Sequence, residues 1–134
     1  MKDVLHFLSE NSIQYLATVD SNGLPKVRPF MILSLYNDKI YFAVSTDKEV
    51  YKEIKNNPRI EFSSSSPTFD WIRVSGVAKF IDDKDLLEKL INESEISESV
   101  YKKSKEDNVE VFCIDDVSII FYDAYNKAKK IIGA

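Results

Sequence analysis

The chain has 134 residues, 44% hydrophobic and 30% charged, with three glycines and four prolines; this is the composition of one globular domain over residues 1–134, not of a disordered chain. Eighteen basic against twenty-two acidic residues give a formal charge of −4 with no basic stripe, which excludes a general attraction to nucleic acid or anionic lipid. The lone Cys113 and lone His6 exclude an internal disulfide and a multi-histidine metal centre, and no apolar run has signal-peptide or membrane-span length, so the expectation is a cytoplasmic protein without metal or membrane.

In chain order, Val4, Leu5, Phe7 and Leu8 mark a short amphipathic helix, and Ile13 to Val19 is a mostly apolar strand expected to be buried on both sides. Asp20-Ser21-Asn22-Gly23 is a turn, after which Leu24 to Leu35 returns as the second arm of a hairpin. Pro25 and Pro29 cannot donate to a ladder, which puts this arm at an edge, at a bulge, or unpaired at those points. Asn37-Asp38 turns again, and Lys39 to Ser45 alternates Ile40, Phe42 and Val44 on one face with Tyr41, Ala43 and Ser45 on the other. Thr46 followed three residues later by Glu49 has capping-box spacing and predicts a helix from Thr46 to about Asn57, stopped by Pro58.

Arg59 to Ser63 resumes β structure, Ser64 to Thr68 is a loop, and Asp70 to Ile81 is a long strand with Gly76 as a bulge or close-approach point. Asp82, Asp83 and Asp85 open a helix over Leu86 to about Glu93, and a further short helix is predicted for Glu98 to Ser104. Val109 to Ile114 and Val117 to Tyr122 are read as two closing strands separated by Asp115-Asp116, with a basic, peripheral tail from Asn126 to Ala134. Six or seven strands with inserted helices form a small barrel, since closure removes exposed edges.

Triads of the Ser-His-Asp or Cys-His type would have to use His6 on the terminal helix, and glycines at 23, 76 and 133 cannot form a dinucleotide or phosphate loop. Asp82-Asp83 and Asp115-Asp116 sit in turns, where capping explains them, so any enzymatic activity rests on a cofactor. Lys48 near N2 of the Thr46 helix, with Lys52 one turn on, opposes the helix dipole. An anion docked on the first N–H groups would reverse that penalty, with Thr46 adding a hydroxyl and Arg28 a free fork; the alternative is a solvated lysine stripe balanced by Asp47, Glu49 and Glu53. Phe30, Tyr41, Phe42, Phe69, Trp71, Phe121 and Tyr122 suit either a flavin wall or a core, and alternation places Trp71 with Arg73 on a face that is a site or an interface.

The ordered set Tyr15-Leu16-Ala17-Thr18-Val19, Asn22-Gly23-x-Pro25, Val27-Arg28-Pro29-Phe30, Ile40-Tyr41-Phe42, Thr46-x-Lys48-x-x-x-Lys52, Asn56-Asn57-Pro58-Arg59 and Trp71 to Gly76 resembles the pyridoxamine 5'-phosphate oxidase-related FMN-binding proteins, including the nitroimidazole-resistance branch. The resemblance implies a mainly β (α+β), six-stranded FMN-binding split barrel, homodimeric, with FMN in grooves between subunits. It places Arg28, Pro29, Phe30 and Met31 along the flavin, Tyr41, Phe42, Ala43 and Ser45 at its border, and Thr46, Lys48 and Lys52 on the phosphate, with Trp71 and Arg73 facing the ring.

Two departures stand out. Leu33 replaces the lysine that ends the oxidase's arginine-led run, and no Arg-x-His element follows Tyr125. The implied function is an FMN-dependent oxidoreductase that reduces nitro or quinone acceptors with NAD(P)H and does not oxidise pyridoxamine phosphate; no catalytic residue is assigned. The alternatives are a non-catalytic FMN-binding or regulatory module, or a split barrel carrying F420 or haem.

Overall fold

The structure is a computed structural model describing residues 2–93 and 108–133. Helix α1 (Lys2–Glu10) leads into strand β1 (Ile13–Val19), after which Asp20 Oδ1 accepts the Asn22 and Leu24 amides, each at 2.9 Å. Gly23 takes φ 77°, the left-handed conformation for which the turn needs glycine. Strand β2 (Pro25–Met31) therefore returns antiparallel with Leu16 opposite Arg28. It is an end strand of the sheet, where the missing N–H groups of Pro25 and Pro29 break no ladder.

The predicted arm Leu24 to Leu35 divides in two. Strand β3 (Ser34–Tyr36) pairs with β4 (Lys39–Ser45) across Asn37 and Asp38, whose φ values of 50° and 58° form the mirror-type hairpin turn that matches strand twist. Helix α2 (Glu49–Asn56), β5 (Arg59–Ser65), β6 (Trp71–Phe80), α3 (Lys84–Glu93), β7 (Val109–Tyr122) and β8 (Ala128–Ile132) complete the described elements. The short helix predicted over Glu98 to Ser104 lies outside the described residues.

All eight strands form one antiparallel sheet in the order β2-β1-β5-β6-β7-β4-β3, with β8 also on β7. The two ends of this order, β2 and β3, are joined only by Ile32 and Leu33, so the sheet must curl until its edges meet. Phe30 of β2 accordingly touches Phe42 of β4, edge to face at 5.9 Å. Phe42 is fully buried and also packs on Phe62 and Phe112, both at 5.5 Å, at the centre of the core. The result is a mostly β half-barrel with three short helices among the described residues.

Four expectations need correction. The strand β1 alternates: Gln14, Leu16 and Thr18 are buried, whereas Ile13 and Tyr15 are 54% and 53% exposed. Val109 to Tyr122 is one strand of 14 residues, because Asp115-Asp116 forms a bulge and not a turn. Asp116 (φ 51°) and Val117 together face Gly76, whose register shifts between Ser75 and Val77. The tail is not peripheral: Asp123 Oδ1 accepts the Tyr125 and Lys127 amides, turning the chain back so that β8 pairs with β7. Finally, the resemblance implies six strands; β3 and β8 are short additions at a sheet end and on β7.

Candidate functional site

A groove of about 310 Å³ runs between β2, the end of β4 and the start of α2, lined by Arg28, Pro29, Phe30, Ala43, Val44, Ser45, Lys48, Val50 and Val109. Six of these were predicted from the sequence: Arg28, Pro29, Phe30, Ala43, Ser45 and Lys48. The curl of the sheet creates the groove, because β2 and β4 approach across the split without pairing.

The strand-to-helix turn departs from the capping-box reading. Thr46 N–H still donates to the Asn108 carbonyl at 3.2 Å, which keeps Thr46 tied to the sheet and unable to cap. Lys48 N–H donates to the Ser45 carbonyl, Lys48 stays extended (φ −84°, ψ 147°), and the helix begins only at Glu49. No side chain caps it. Lys48 is thus the N-cap residue and makes no ion pair among the described residues, so a cation and uncapped helix amides share the rim of the groove. Lys52 points elsewhere: it is exposed and pairs with Glu49 at 3.3 Å.

Arg28 is not the free fork the sequence suggested. Its Nη1 donates to the Leu16 carbonyl at 3.1 Å and to Thr18 Oγ1 at 2.7 Å, and its Nη2 donates to Glu53 Oε1 at 2.8 Å. Thr18 Oγ1 in turn donates to the same Glu53 oxygen at 2.7 Å, closing a ring of three bonds between β1, β2 and α2. The Arg28 and Glu53 side chains are 23% and 11% exposed, so the pair is largely shielded from water and loss of either partner would leave a charge uncompensated.

The remaining predicted residues lie apart from the groove. Tyr41 is buried with Leu33, Leu90, Val111 and Cys113 in a second core cluster, and burial raises both the Tyr41 phenol and the Cys113 thiol above their ordinary ranges. Phe42 is core, and Met31 is 49% exposed at the end of β2. Trp71 and Arg73 line a separate cavity of about 190 Å³ on the outer face with Tyr15, Ala17, Val27, Glu61 and Ser63. There Trp71 stacks on Tyr122 with ring centroids 4.2 Å apart, and the Arg73 guanidinium lies over both rings.

Sequence reasoning missed Thr18, Glu53, Val44, Val50 and Val109. Thr18 had a signal, because the Asp20–Gly23 turn sets the register that puts Leu16 opposite Arg28 and Thr18 on the same strand face. Glu53 had none, because only the docking of α2 on β1 brings it there. Glu110, opposite Val44, was also missed: it accepts the Tyr51 hydroxyl, raising that phenol above its ordinary range, and its Oε2 is buried without a partner among the described residues.

The family profile of pyridoxamine 5'-phosphate oxidase matches residues 1–122, and the chain belongs to that family. None of the curated proteins matches it. Among solved structures it is similar to a NimC/NimA family protein from Clostridium acetobutylicum, with 24% identity and TM-score 0.79 over 100% of this chain and 92% of the other. A general stress protein 26-related protein of the pyridoxinephosphate oxidase family, also from Clostridium acetobutylicum, gives 17% identity and TM-score 0.77 over 98% and 92%. HutZ, the heme storage protein from Vibrio cholerae, gives 14% identity and TM-score 0.73 over 98% and 92%. At these identities the likeness establishes the fold. No helix among the described residues is long and apolar enough to cross a membrane.

Proposed function

We propose that the chain is a single FMN-binding domain of the cytoplasm that works as a homodimeric oxidoreductase, reducing nitro or quinone acceptors with NAD(P)H. The observation that carries this reading is the groove itself, with Lys48, which has no ion-pair partner among the described residues, and the uncapped start of α2 at one end and Phe30, Val44, Val50 and Val109 along its walls. That donor set fits a flavin phosphate and its apolar ring. In this reading Lys48 and the first α2 amides take the phosphate, Phe30 and the valines exclude water, and Lys52 contributes only at long range. Bound there, FMN would supply hydride acceptance from a nicotinamide and electron delivery to the acceptor.

The volume supports a shared site. Drug-sized ligands occupy pockets of roughly 300–1,000 Å³, and about 310 Å³ from one chain is at the low end. The outer face of β1 and β2 offers the place for a second copy: Ile13 opposite Met31 and Ala17 opposite Val27 set four apolar side chains side by side, with Val27 68% exposed. Trp71 and Arg73 lie on that face, and from the partner they would border the groove. Pyridoxamine phosphate is not the substrate in this reading, because Leu33 stands 4% exposed in the core and cannot hold it.

A haem reading has one observation in its favour: His6 lines a cavity of about 460 Å³ with Phe7, Phe121 and Tyr122. His6 nevertheless pairs with Glu10 at 3.3 Å on the exposed side of α1. Assays with NADH and NADPH against nitro and quinone acceptors test the oxidoreductase reading: FMN-dependent turnover supports it, and tight FMN without turnover on any of them favours the non-catalytic module.

A further inference from the structure

Arg28, on the wall of the groove, keeps donors that its partners do not use. A guanidinium carries five N–H groups. Both Nη1 protons are taken, by the Leu16 carbonyl and Thr18 Oγ1, and one Nη2 proton is taken by Glu53. The Nε–H and the second Nη2–H have no partner among the described residues. In a planar guanidinium these two lie side by side along one edge, the geometry that meets two oxygens of a phosphate.

We infer that Glu53 and Thr18 are positioning residues: they grip Arg28 by its Nη1/Nη2 edge and leave the Nε/Nη2 edge as a ready fork for the anionic group of a ligand in the groove. Three features support it. Arg28 lines the groove while Glu53 does not, so the carboxylate acts from behind. Glu53 Oε1 receives both Thr18 and Arg28, which fixes the plane of the guanidinium as a single contact could not. The ring also joins β2 to α2, the two elements that flank the groove, so the fork and Lys48 are held on one frame. A prepositioned fork loses less entropy on binding than a free arginine.

This inference rests on reading the groove as an anion site, and its test separates the two. Inorganic phosphate is titrated into the folded protein while the Arg28 Nε–H resonance is followed by NMR, alongside FMN and riboflavin titrations by flavin fluorescence. In the wild type the resonance shifts saturably. In Glu53→Gln, which keeps the acceptor, the half-saturating phosphate concentration stays within about twofold, whereas in Glu53→Ala it rises about tenfold, the value of one charge-assisted hydrogen bond. Should Glu53→Ala not fold, Thr18→Val opens the same ring and shows the same direction.

A wild-type Nε–H unmoved by phosphate overturns the inference, as does phosphate binding that is unchanged or tighter in Glu53→Ala, which would make Glu53 a competitor for Arg28. A saturable shift with phosphate but no binding of FMN removes the flavin reading and leaves the positioning role standing.

Discussion

Arg28 shows how far a side chain's identity falls short of its role. The turn at Asp20 to Gly23 was legible, and with it the strand face shared by Leu16, Thr18 and Arg28. That the guanidinium is already committed to Glu53 depends on where α2 docks, which no local pattern encodes. Thr46 failed as a cap for a similar reason: its amide remains in use by Asn108, a contact 62 residues distant in sequence that outweighs a local capping preference. Cys113 carries a prediction of its own. Burial, with Asp115 adding to it, pushes the thiol upward, so the folded state holds the proton at a pH where the unfolded chain releases it. This contribution is intact below about pH 8.5, the ordinary thiol value, and stability falls as pH rises above it. Denaturant melts of Cys113→Ala between neutral and alkaline pH are expected to show a shallower decline than wild type, and thiol reagents to label the native protein slowly.

The strands were read more accurately than their joints. Lys39 to Ser45 and Ile13 to Val19 match their predicted bounds because period-two alternation and flanking turn residues agree there. Asp115-Asp116 was taken for a turn because acidic pairs favour one, but a bulge places Asp116 at positive φ without ending the strand. Gly76 is the other half of that bulge. A Cβ at this position would stand 2.5 Å from the Asp115 carbonyl oxygen and 2.5 Å from Ile114 Cγ2, one backbone and one buried. Gly76→Ala is therefore expected to cost about 1–3 kcal/mol, as for overpacking elsewhere, in equilibrium denaturation. A loss below about 0.5 kcal/mol, the ordinary level for an unstrained surface change, would mean that the bulge relaxes.

For the molecule as a whole, the family and the curled sheet were legible from the ordered motifs, while the division of the predicted site between two faces was not. Arg28 and Lys48 border the groove, and Trp71 and Arg73 lie on the outer face. In the proposed dimer, a second copy would bring the two together. Val27→Lys, which puts a charge on the exposed apolar face without touching the groove, is expected to give a monomer in analytical ultracentrifugation and to weaken flavin binding with it. A dimer that persists in this variant would place the interface elsewhere. The most direct test of the central claim is a fluorescence titration of the purified protein with FMN and with riboflavin. The expected result is saturable quenching by FMN at one per chain, tighter than riboflavin, with that preference lost in Lys48→Ala. Equal affinity for the two flavins, or no binding together with a co-purifying haem spectrum, would contradict the assignment of the groove to FMN.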